Sequence, residues 1–240
     1  VSAAPSPVFV AGATGYVGRA LVRLLARRGS TVAAHVRPDS PRLAEWRARF
    51  AADGVDADAT PWDEGAMAAM LAARRPAAVY ALLGTTRKRA RAAEQRGERD
   101  GYEAVDYGLT ALLLRAAARA ARDTGTAPRF VYLSALGADA SSRNPYLAVR
   151  GRLERELGAS GLAWVSARPS FITGPDRDES RPAERIAAAA VDAALALPRV
   201  LGARGFADRY RSTSAEELAR ALARLGVDGS GVVEGDQLRG

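Results

Sequence analysis

Short apolar runs alternate with amphipathic segments along most of this chain. Residues 7–12 (PVFVAG) form a continuous apolar run, and 14–29 then place Val17, Leu21, Leu24 and Leu25 at helical spacing. Gly29 is the stop such a helix needs. The same alternation predicts strands at 31–36, 55–59, 77–84, 129–136 and 162–168, with helices at 41–54, 63–75, 101–125 and 145–160. Strands apolar on both faces, each followed by a helix, belong in a parallel sheet covered on both sides. Right-handed crossovers then make it a doubly wound, Rossmann-like α/β fold.

After Pro169 the regularity loosens. A stretch rich in Gly, Pro, Asp and Arg (173–182) leads to helices expected at about 183–197 and 214–225, and "GVVEGDQLR" is read as a last strand. Nothing in the pattern marks a linker, a repeat or a second core. The expected organisation is one domain over 1–240, with 170–240 as a small elaboration on the substrate side.

The first strand runs into "GATGYVG", with Gly12, Gly15 and Gly18 between strand and helix. Gly12 permits a tight turn, Gly15 lets backbone approach a pyrophosphate, and Gly18 permits close helix–strand packing. The free amides and positive dipole end of the helix favour a phosphate there. Thr14, Tyr16 and Val17 complete this candidate cofactor loop. A carboxylate at the end of the second strand would bind the ribose 2′-hydroxyl of NAD, whereas an arginine suits a 2′-phosphate. The chain reads "AHVRPDS" there, so Arg37 favours NADP(H) over NAD(H). The competing view is that Arg37 is one surface arginine among many. His35 is read as capping a strand end. Asp58, where the third strand ends, is a candidate adenine contact or a solvated loop carboxylate.

Composition narrows the chemistry. The chain has no cysteine, which removes disulfides, thiolate nucleophiles and sulfur-ligated metals. Its one histidine leaves no partner for a two-histidine zinc site or a Ser-His-Asp relay. The net charge of +8 suggests an anionic partner, yet Lys88 is the sole lysine among many arginines, as GC-rich coding would produce. No aromatic-plus-basic motif accompanies the charge, which argues against nucleic acid. "VSAAPSP" lacks a signal-peptide pattern, and arginines interrupt the most apolar helix, "LTALLLRAAARAA". The expectation is a soluble, cytoplasmic protein with no membrane span.

The G-x-x-G-x-x-G spacing resembles the extended and atypical branches of the short-chain dehydrogenase/reductase superfamily. "LLGTTRKRA" (82–90), "LSALGADASSRNPYLAVRGRLE" (133–154) and "RPSFITGPDRDESRP" (168–182) are similar to segments of its Tat-interacting oxidoreductase branch and bacterial NAD(P)H-binding relatives. That resemblance implies that Leu83, Gly84 and Thr85 line the adenosine side of the cofactor. It also implies that Ser134 ends the fifth strand beside the nicotinamide, and that Pro169 to Ile172 cover the carboxamide. Strand C-termini are where such a sheet binds ligands.

In this superfamily a tyrosine, with a lysine four residues on, exchanges a proton with the substrate oxygen while hydride moves. The lysine holds the nicotinamide ribose, and a serine orients the substrate. Tyr146 fits, and Asn144-Pro145 start its helix, but residue 150 is Arg150. A fixed cation favours a nearby phenolate and donates to hydroxyls, but it cannot release a proton. Ser134 sits in "LSALG", one position early for the orienting serine, with Ala135 next. Alternation would then turn its hydroxyl away from substrate. Two readings stay open. One is an NADP(H)-dependent oxidoreductase acting on a small carbonyl or alcohol, with Tyr146, Arg150 and Ser134 as its catalytic set. The other is a non-catalytic NADPH sensor acting on a protein partner. The charged segment 85–101 is read as a solvated loop or short helix, or as a lid over the substrate end.

Overall fold

The computed structural model describes residues 6–84, 102–170, 172–173 and 213–238. The expected helix at 183–197 and the charged segment 85–101 lie outside them. Seven parallel strands form the main sheet: β1 (Pro7–Ala11), β2 (Thr31–His35), β3 (Asp56–Asp58), β4 (Ala78–Ala81), β5 (Arg129–Leu133), β6 (Trp164–Arg168) and β9 (Gly231–Glu234). Their spatial order is β3-β2-β1-β4-β5-β6-β9. A separate pair, β7 (Ile172–Thr173) and β8 (Thr213–Ser214), is also parallel.

Alternation along each strand divides the core. Val8, Val10, Val32 and Val131 face one way, onto Leu21 and Leu25 of α1 (Tyr16–Arg27), Trp46 and Phe50 of α2 (Leu43–Ala52), and Leu222 of α6 (Ala215–Asp228). Phe9, Val79, Phe130 and Tyr132 face the other. They meet α3 (Glu64–Arg74), α4 (Thr110–Thr124) and α5 (Pro145–Ala159) through Leu71, Leu113 and Leu153. Phe9 and Phe130 are fully buried, each worth roughly 1.5–3 kcal/mol on transfer from water. The doubly wound, Rossmann-like prediction holds.

The differences at element ends have causes. β4 stops at Ala81 rather than 84 because Leu82 turns across Gly12; a Cβ on Gly12 would lie 2.5 Å from the Leu82 carbonyl oxygen. The expected helix at 101–125 starts as a π-helical segment, Tyr102–Leu109, before α4. Such widened turns are frequent at functional sites. At the far edge, Ser214 and Glu217 form a capping box that starts α6, and β9 pairs with β6. A Cβ on Gly226 would fall 2.0 Å from the Tyr80 hydroxyl, so only glycine lets α6 lie this close to β4. Among the described residues no helix is long and apolar enough to cross a membrane.

Candidate functional site

The strand order reverses between β1 and β4, and the crevice at their carboxyl ends is where a doubly wound sheet takes its ligand. Gly12 leaves β1 at φ +81, a conformation that disfavours any side chain. Gly15 is the N-cap of α1 and donates its amide to the Gly12 carbonyl at 3.0 Å. A Cβ on Gly18 would lie 2.1 Å from that same carbonyl oxygen. Three glycines thus fold the backbone onto itself and bring the helix start to the sheet edge. No N-cap side chain satisfies the first amides of α1, and its first turn carries no acid. Thr14 and Tyr16 are half-buried at this turn, Val17 is buried, and Arg19 donates to the Thr14 carbonyl at 3.3 Å. A bare, positively polarised helix start beside a cradle that a Cβ would fill fits a diphosphate.

The residues expected on the adenosine side differ in their surroundings. Arg37 follows β2, its side chain 58% exposed, with Asp39 3.5 Å away. Asp58 is buried instead of solvated: its carboxylate accepts from the Thr60 amide at 2.9 Å and from Arg74 at 3.2 Å. His35 is buried at the end of β2, with Nε2 2.8 Å from the Thr60 carbonyl and Trp62 against its ring. Burial pushes its pKa below the usual imidazole value, against the Thr60 bond and the Asp58 charge. Leu83 is half-buried and Gly84 exposed at the end of β4, while Thr85 lies outside the described residues.

Asn144 caps α5 by accepting the Tyr146 amide at 3.0 Å, with Pro145 in the first turn. That start sets Tyr146, Arg150 and Glu154 one above another. The Tyr146 ring meets the Tyr102 ring edge-on at 5.4 Å, and the Arg150 guanidinium lies 4.6 Å from its centre. Arg150 itself is buried. It donates to Asp106 at 2.7 Å, to the Leu133 carbonyl, and weakly to the Tyr132 hydroxyl at 3.4 Å. Burial opposes its charge, but Tyr132, Tyr146 and Asp106 hold its pKa above the ordinary guanidinium value. Burial likewise raises the Tyr132 phenol.

Ser134 is buried, and its hydroxyl makes no hydrogen bond of good geometry, although it stands close enough to Glu154 to favour that carboxylate's charge. Its neighbour Ala135 is partly exposed. Glu154 accepts from Ser166 at 2.7 Å and from Arg168 through both oxygens. Burial opposes its charge, yet these bonds keep its carboxyl below the usual range. Pro169 is buried, and its carbonyl accepts the Leu136 amide at 3.0 Å, tying the ends of β5 and β6 together.

Asp106, Glu154 and Arg168 are parts of this edge that the sequence reading passed over. For Asp106 a signal existed. It lies on the inward face with Thr110, Leu113 and Ala117, and a lone carboxylate on a buried face needs a cation.

Residues 12–194 match the NAD(P)H-binding family. The chain is 39% identical over 95 residues to Protein fmp52, mitochondrial, of Aspergillus niger, covering 38% of each chain. It is 38% identical over 185 residues to the chloroplastic divinyl chlorophyllide a 8-vinyl-reductase of Oryza sativa subsp. indica, covering 71% of this chain and 39% of that protein. The chain spans less than half the length of the curated relatives it matches. In fold it resembles a Burkholderia thailandensis oxidoreductase of the short-chain dehydrogenase/reductase family, with TM-score 0.67 and 20% identity over 99% of this chain and 94% of that one. The cytoplasmic expectation is corrected by the fungal relatives, which are named as mitochondrial proteins. The physical reason is that hydropathy and charge report how a core packs, not which compartment holds it. The chain belongs to the NAD(P)H-binding family.

Proposed function

We propose that this chain is an NADP(H)-dependent oxidoreductase acting on a small carbonyl or alcohol. The observation that carries the reading is the shared sheet edge: the glycine cradle after β1 and the Tyr146–Arg150 stack on α5 both lie at strand carboxyl ends. The amides at the start of α1 hold the diphosphate, and Arg37 takes the 2′-phosphate. Leu83 and Gly84 flank the adenosine, and Pro169 closes the nicotinamide end. Asp58, already bonded to Thr60 and Arg74, shapes the adenine wall rather than reaching for it.

When bound, the nicotinamide supplies the hydride that adds to the carbonyl carbon. Tyr146 donates the phenolic proton to the carbonyl oxygen, so an alcohol leaves and the phenolate is reprotonated from water. Arg150 supports Tyr146 from beneath and cannot relay that proton. With Ser134 turned inward, the substrate oxygen is oriented mainly by Tyr146. Slow turnover is the consequence.

A second reading, an NADPH-binding sensor that acts on a protein partner, is favoured by one observation. Arg150 is 4% exposed and bonded to protein groups where a ribose anchor would be free.

Thermal shift with NADPH and NADH, followed by NADPH oxidation with a panel of aldehydes and ketones, tests both. The oxidoreductase reading expects NADPH to stabilise more than NADH and Tyr146→Phe to abolish turnover. Tight NADPH binding with no turnover, in the parent and in Arg150→Lys alike, leaves the sensor. No response to either dinucleotide rejects both.

A further inference from the structure

Glu154 is a buried carboxylate, 8% exposed, that the proposed reaction leaves unused. All its hydrogen bonds go to one strand. Its Oε1 accepts from the Ser166 hydroxyl at 2.7 Å and from Arg168 Nε at 2.9 Å, and its Oε2 accepts from Arg168 as well. Ser166 and Arg168 are the last two residues of β6 on the α5 side of the sheet. Guanidinium and carboxylate meet as a two-pronged fork, which fixes distance and orientation together. Glu234 of β9 stands 3.8 Å from another nitrogen of Arg168. Leu153 and Leu157 also hold α5 to the sheet, but apolar attraction has no direction and resists sliding poorly. Among the described residues, α5 reaches the main sheet through two polar side chains: Arg150, which donates to the Leu133 carbonyl of β5, and Glu154, which accepts from β6. They lie one helical turn apart and bond to neighbouring strands, so together they set the height and the rotation of the helix.

We propose that Glu154 and Arg168 are positioning residues for the nicotinamide end of the cofactor cleft: the fork between them fixes α5, which carries Tyr146, against the carboxyl end of β6, which runs into Pro169. The pair acts through those two neighbours and sets the gap that receives the nicotinamide ring. Pro169 follows Arg168 directly, and its carbonyl holds the Leu136 amide at 3.0 Å, so a shift of β6 is passed to the end of β5. This deepens the oxidoreductase reading and rests on it for the cofactor. Two conservative changes take the fork apart. Arg168→Lys keeps the charge and replaces two parallel bonds with a point contact. Glu154→Gln keeps the shape and removes the charge. The glycine cradle and Arg37, on β1, α1 and the end of β2, take no bond from either residue. Loss of the fork is therefore felt at one end of the cofactor.

The test is titration calorimetry on the full chain with NADPH and with 2′-phospho-ADP-ribose, which carries every part of the cofactor except the nicotinamide. The parent is expected to bind NADPH the more tightly. Glu154→Gln and Arg168→Lys are expected to weaken NADPH by about tenfold and to leave 2′-phospho-ADP-ribose within about twofold. Glu154→Leu/Arg168→Leu separates position from stability. It is expected to recover much of the urea midpoint that Glu154→Gln loses, since no charge is left buried, while NADPH stays weak. If Glu154→Gln does not fold, Arg168→Lys and the double variant still decide the matter. Equal losses for the two ligands, or no loss, overturn the positioning role. So does a double variant whose NADPH affinity returns with its stability, or a parent that holds both ligands equally well. A parent that binds neither ligand overturns the oxidoreductase reading, and this inference with it.

Discussion

Gly18 of α1 rests directly on the carbonyl oxygen of Gly12, so closely that a Cβ at residue 18 would lie 2.1 Å from it. The obstacle is backbone on both sides, which cannot rotate away as a side chain would. Gly18→Ala must therefore lift the helix start off the sheet. The expected cost is about 1–3 kcal/mol of stability, with loss of NADPH binding, read by urea denaturation and titration calorimetry. Gly15→Ala, where the nearest contact would be 3.2 Å, should cost less. Equal effects at the two positions would show that the contact is not what holds the cradle.

Arg37 offers the opposite case. It is exposed, and its 3.5 Å contact with Asp39 is a surface pair of little worth. Arg37→Ala should change stability by less than about 0.5 kcal/mol. If this guanidinium binds the 2′-phosphate, NADPH affinity should fall by roughly tenfold to a hundredfold while NADH affinity stays put. Unchanged preference for NADPH would remove Arg37 from the site.

The Asp106–Arg150 pair also bears on stability. Taking away Asp106 leaves the buried Arg150 charge without its carboxylate, a loss of about 3–5 kcal/mol. Asp106→Leu should show that loss in urea midpoints, and Asp106→Leu/Arg150→Met should recover most of it, because no charge is then left buried. A double variant as weak as the single one would mean that the pair's packing matters more than its charge.

His35 makes acid sensitivity specific to one residue, since the chain has no other histidine. Burial lowers its pKa, so the folded protein keeps it neutral while the unfolded chain begins to take up a proton near pH 6.5. Its contribution is fully present above that pH and declines as pH falls toward the lower folded value, by at most about 1.4 kcal/mol per pH unit. His35→Gln should flatten stability between pH 7 and pH 5. A slope that survives the substitution would place the sensitivity elsewhere.

Glu154 acts in a lower window. Its carboxyl is held below the usual range, so the stability it brings is present above roughly pH 4.3 and is lost as pH falls through the folded value. Glu154→Gln should blunt the acid limb below pH 4 and weaken the protein at pH 7, with His35's window untouched.

Local pattern carried much of this protein. Apolar alternation marked the described strands of the main sheet, and G-x-x-G-x-x-G marked the cradle, because both depend on neighbours a few residues away. Asn144-Pro145 announced the start of α5 for the same reason, and the likeness of segments such as 133–154 to NAD(P)H-binding relatives pointed to the family. What the chain order could not disclose was the partner of each buried charge. Asp106 and Arg150 are 44 residues apart, and Glu154 and Arg168 lie on a helix and a strand that meet only once the sheet has wound. Nor could it disclose that Asp58 turns into the protein. Those outcomes belong to tertiary structure, because a charged or polar group taken out of water must bond to whatever the packing of distant elements brings within reach.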